Sequence, residues 1–81
     1  MRAEELLGEA ETIFRVRGDR YSLAQCAWEF GILRVAQGCG NEAILHFKSA
    51  QIIYQELQID LLAGECRDMI RKLEFTIPPQ L

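Results

Sequence analysis

Apolar positions recur every three or four residues along almost the whole chain, a period that belongs to helices rather than strands. Ala3, Leu6, Leu7, Ala10, Ile13 and Phe14 form one stripe, while Glu4, Glu5, Glu9 and Glu11 occupy other faces. The glutamates come early and Arg15 and Arg17 late, the order that a helix macrodipole favours. Gly18 followed by Asp19 reads as a stop and a restart, glycine taking the left-handed terminal conformation and aspartate capping the next helix. A second stripe carries Leu23, Ala24, Ala27, Phe30, Gly31 and Leu33 and ends at Gly38-Cys39-Gly40, with Asn41 as the expected next cap. Ala43, Ile44, Phe47, Ala50, Ile53, Tyr54 and Leu57 make the third stripe. Asp60 is the expected cap of a fourth, through Leu61, Leu62, Cys66, Met69, Ile70 and Leu73. Pro78 and Pro79 cannot continue a helix, so residues 76–81 are expected to be extended. The pattern predicts an all-α domain over 1–75 with helices at about 2–17, 20–37, 41–57 and 60–75.

Connections this short make consecutive helices antiparallel. Two arrangements satisfy that: a closed four-helix bundle, or an open stack of helical hairpins. Internal repetition favours the stack. A shift of 40 residues lays Ala3 on Ala43, Ala10 on Ala50, Ile13 on Ile53 and Phe14 on Tyr54. The same shift lays Cys26 on Cys66 and Leu33 on Leu73. These matches fall on the apolar stripes, and helix pairs of such length build solenoids.

Gly31, Gly38, Ala43, Phe47 and Ala50 stand at spacings that resemble a tetratricopeptide repeat. In that family a small residue sits in the first helix and a glycine in the turn, and the second helix carries alanine, aromatic and alanine at intervals of four and three. The physical sense is direct: Gly31, Ala43 and Ala50 let helices approach closely, and Phe47 fills the space between them. The resemblance covers one hairpin, residues 20–57. Residues 1–17 are similar to the second helix of a preceding repeat and residues 60–75 to the first helix of a following one. Departures from the family pattern are Arg34 where an aromatic is usual, Ala27 beside Trp28 where one large residue is usual, Arg71 in place of a glycine, and no closing proline. The 40-residue spacing matches the family's long-period variety.

Charge and composition then narrow the partners. The formal charge of −3 argues against nucleic acid, which needs a basic surface. Arg67, Arg71 and Lys72 read as a solvated helix end. No apolar run approaches the ~20 residues of a membrane span, and the acidic, periodic start is unlike a secretory signal, so a cytoplasmic location is expected. Cys26, Cys39 and Cys66 form no Cys-x-x-Cys pair, and with His46 their separations match no metal-ligand pattern. No metal, no cofactor and no enzymatic role is expected, because His46 is the only candidate base for a thiol nucleophile and no phosphate loop is present.

The family resemblance implies a non-enzymatic scaffold for protein–protein interaction, holding a peptide or partner helix in a groove lined by first helices. On this chain the implied groove is Gln25, Trp28, Ile32 and Val35 of the second helix, continued by Glu65, Asp68 and Lys72 of the fourth. The alternative is homo-oligomerisation, since end helices without neighbours expose their stripes. Leu6, Leu7, Ala10 and Phe14 at one end, and Met69, Ile70 and Leu73 at the other, are the expected self-association residues.

Overall fold

The computed structural model describes residues 2–76; the Pro78–Pro79 tail lies outside the described residues. Four helices follow in order: α1 (Arg2–Arg17), α2 (Arg20–Ala36), α3 (Gly40–Glu56) and α4 (Asp60–Thr76). The packed pairs are the sequential ones, α1 on α2, α2 on α3 and α3 on α4. A ring closed by α1 against α4 would need that pair in contact, and it is not among the packed pairs. The body is flattened, 42 × 32 × 18 Å.

All three turns use one device. Gly18, Gly38 and Gln58 each take the left-handed conformation, at φ +70°, +75° and +60°. The amide of the following residue then reaches back five positions: Asp19 N–H to Phe14 O at 2.9 Å, Cys39 to Arg34 at 2.8 Å, Ile59 to Tyr54 at 2.9 Å. This is a Schellman-type ending, which satisfies carbonyls that the terminating helix leaves open. The caps therefore differ from two sequence expectations. Cys39 rather than Asn41 caps α3, with no side-chain hydrogen bond. Asp60 lies inside the first turn of α4, where its charge suits the helix dipole. Both shifts have one cause: the left-handed residue dictates the reversal, and the next helix begins two residues later.

Gln58 occupies a backbone region that suits glycine, since an L-residue crowds the following carbonyl there. Gln58→Gly is expected to raise stability by about 0.5–1 kcal/mol, read as the urea midpoint. An unchanged midpoint would mean that the turn carries no such strain.

Asp19 caps α2 as expected, accepting from Ser22 N–H at 3.1 Å and from the Ser22 hydroxyl at 2.8 Å. Those two bonds hold its carboxyl below the ordinary aspartate value. A depressed folded-state value stabilises the fold above the unfolded value near pH 3.9, and the benefit disappears as pH falls through the folded value. Asp19→Ala should therefore lower the melting temperature at neutral pH, with the gap closing in strong acid. A gap independent of pH would remove the charged cap as its cause.

The core is built from small residues around α3. Ala24 and Ala27 of α2, Ala50 and Tyr54 of α3, and Ala63 and Cys66 of α4 form one cluster. Ala43, Phe47 and Ile70 form a second beside it. Gly31 is buried at the α2–α3 crossing, and a Cβ placed on it would lie 2.6 Å from the Phe47 ring. α1 contributes no fully buried residue. It is tied to α2 by ion pairing of Glu4 with Arg34, which also donates to Gln37 at 2.7 Å. Arg34 Nε lies 3.3 Å from Glu42 Oε2, an ion-pair distance without hydrogen-bond alignment. Arg34 thus links three helices, α1, α2 and α3. Leu57 and Leu61, placed on the apolar stripes by their spacing, are exposed on either side of the turn, while Ile59 within it packs on the first cluster.

Candidate functional site

Helical spacing sets the first wall. Tyr21, Gln25 and Trp28 stand four and three residues apart, which aligns them on one face of α2. The opposing wall comes from Leu62, Glu65, Asp68, Met69 and Lys72 of α4, with Tyr54 of α3 between the two helices. Trp28 is half-buried and packs on both core clusters. Its ring meets Phe47 edge-on, centroids 4.9 Å apart and planes at 64°. Because Phe47 is fully buried, Trp28 is anchored from beneath.

A cleft opens on each side of Trp28. One, of about 220 Å³, is lined by Tyr21, Gln25, Trp28 and Glu29 of α2, Tyr54, and Leu62 and Glu65 of α4. The other, of about 270 Å³, lies between Trp28 and Glu65, Asp68, Met69 and Lys72. Of the seven groove residues that the sequence suggests, Gln25, Trp28, Glu65, Asp68 and Lys72 surround these clefts. Ile32 and Val35 are exposed further along α2 and line neither. Tyr21, Glu29, Leu62 and Met69 are additions. The signal for Tyr21 was its alignment with Gln25 and Trp28; Tyr54 was legible only as a core residue.

Tyr54 is buried, which pushes its phenol up to about 12, with Cys66, Tyr21 and Glu65 acting in the same direction. Tyr21 meets it edge-on at 6.1 Å and 65°. Burial likewise pushes the Cys66 thiol up to about 11 and raises that of Cys26, so both are protonated packing groups near neutrality. His46 stacks on Phe30, centroids 5.2 Å apart, and burial lowers its pKa. Among the described residues no three His, Cys, Asp or Glu side chains cluster as metal ligands. No helix among them is long and apolar enough to cross a membrane.

The residues expected to self-associate fare differently. Leu6 is 51 % exposed, and Leu7, Ala10 and Phe14 are half-buried. Met69 and Leu73 are half-buried against the second core cluster. Ile70 must be corrected: it is 7 % exposed, a core residue beside Ala43 and Phe47. Its face of α4 is the one that docks on α3, so it offers no surface for a second copy. No family model matches the chain, and no curated protein or solved structure matches it.

Proposed function

We propose that this chain is a non-enzymatic helical-repeat scaffold of the tetratricopeptide type, an open stack of hairpins whose α2–α4 groove holds a peptide or partner helix. The observation that carries the reading is Trp28, anchored on Phe47 with a cleft on either side. An aromatic fixed in this way offers a large contact area at little entropic cost, the property of interface hot spots.

Equivalence at 40 residues supports the repeat. Ala43, Ala50 and Tyr54 are buried where α3 lies between α2 and α4. Their counterparts Ala3, Ala10 and Phe14 are exposed or half-buried on α1, whose one substantial packing partner among the described residues is α2. A helix with one neighbour exposes what a helix with two covers, as expected at the end of a solenoid.

Selection of a random peptide library on the immobilised chain tests the reading. Selected peptides should shift Trp28 fluorescence and lose about tenfold or more in affinity against Trp28→Ala. Helical circular dichroism of the variant, compared with wild type, separates a lost contact from a lost fold. Peptides that bind the variant equally well would place the interaction elsewhere.

A further inference from the structure

We propose that the cleft among Tyr21, Trp28 and Tyr54 receives a cationic side chain of the groove's partner, arginine in preference to lysine. The inference rests on the groove reading above and names the chemistry that the groove recognises.

Two independent features of the cleft point the same way. Its aromatic content is high for so small a space: Tyr21, Trp28 and Tyr54 contribute from two helices, with Tyr21 and Tyr54 set at 65°. Aromatic faces attract guanidinium and ammonium groups through the ring quadrupole. The charge in the cleft is of one sign, since Glu29 and Glu65 line it and no lysine, arginine or histidine does. Among the described residues the ion pairs join Arg15 to Glu11, Arg20 to Glu56, and Arg34 to Glu4 and Glu42. Glu29 and Glu65 take part in none of them. Their carboxylates come from facing helices, α2 and α4. The field of Glu65 reaches the Tyr54 phenol, which it helps to hold in the neutral form.

Size restricts the occupant. A cleft of about 220 Å³ lies below the roughly 300–1,000 Å³ of pockets that enclose drug-sized molecules, and suits one side chain. Arginine fits better than lysine because its planar guanidinium can stack on a ring while its edge donates to carboxylates. The neighbouring cleft differs, because Lys72 stands there beside Asp68 and Glu65. A cation is therefore directed to the Tyr21 side of Trp28.

The test uses the whole 81-residue chain and three small probes: blocked arginine amide, its neutral isostere citrulline amide, and blocked lysine amide. Proton NMR follows the Trp28 indole and the tyrosine rings during titration. Arginine amide is expected to shift Trp28, Tyr21 and Tyr54 signals, with citrulline about tenfold weaker and lysine between them. Glu29→Gln with Glu65→Gln should abolish the preference for arginine over citrulline while leaving circular dichroism unchanged, because both positions are exposed. The proposal is overturned if arginine and citrulline behave alike, if the double variant keeps the preference, or if no probe shifts these rings. Library peptides that depend on Trp28 but contain no basic residue would overturn it too, leaving the groove reading intact. Arginine-selective shifts with no selected peptide would do the reverse.

Discussion

Gly31→Ala is expected to destabilise the fold by about 1–3 kcal/mol, although alanine is by itself the better helix former by about 1 kcal/mol. The added methyl would stand 2.6, 2.7 and 2.9 Å from three atoms of the Phe47 ring, closer than non-bonded carbons approach. Phe47 cannot swing aside: it is fully buried, with Ala43 and Ile70 in its cluster and Trp28 edge-on to it. The interaction is best read as a cycle. Phe47→Ala should cost about 3–5 kcal/mol, comparable to the whole stability of a small domain. Phe47→Leu should cost less and open space above Gly31. In that background Gly31→Ala should become neutral or stabilising, giving a coupling of about 1–3 kcal/mol in urea denaturation. Additive single costs would show that Gly31 and Phe47 do not oppose each other, and the close α2–α3 crossing would lose its explanation.

Ile70→Glu should abolish cooperative unfolding near neutral pH. The side chain lies against Ala43 and Phe47, in a cluster of hydrophobic residues. Burying an unpaired charge costs several kcal/mol, and a domain of this size has little reserve. The introduced carboxyl would be forced toward its neutral form by burial, raising its pKa in the folded state. A raised value means that folding is favoured at low pH and lost as pH rises through that value. Partial recovery of helical signal in mild acid is therefore expected, and it distinguishes charge burial from simple misfit. Leu6→Glu, at a position already 51 % exposed, should fold normally at both pH values. If Ile70→Glu folds as well as Leu6→Glu, α4 does not dock on α3 through this face. The contrast also decides where self-association can be probed: on Leu6 and its neighbours, without the fold changing beneath the measurement.

The positions expected of a groove come from the resemblance to a tetratricopeptide repeat, and helical spacing by itself says only which of them share a face. Gln25, Trp28, Glu65, Asp68 and Lys72 sit on helix faces that three- and four-residue intervals define, and each is found beside a cleft. Ile32 and Val35 share the face by spacing but line neither cleft. Tyr54 shows the limit from the other side. Its period marks it correctly as core, at 4 % exposure, yet it also lines the cleft. A periodic pattern assigns a residue to one face, whereas a side chain at the junction of three helices belongs to two.

The helices themselves were determined by the sequence, because local terms suffice to define them. Apolar period, Gly18 and Gly38 at the reversals, and Asp19 with Ser22 act over a few residues, and each is visible in the order of the chain. The small-residue crossing was determined there too, since Gly31, Ala43 and Ala50 leave one place for a ring of the size of Phe47. What only the tertiary structure decided was which side of each end helix is covered. Ile70 and Leu6 both lie on apolar stripes at the two ends of the chain; one is core and the other exposed. The difference comes from docking: α4 lays its stripe on α3, while α1 packs mainly on α2 and is tied there by Glu4 and Arg34. Periodicity records that a face is apolar. Which helix covers it depends on contacts between residues distant in sequence, and those exist only in the folded chain.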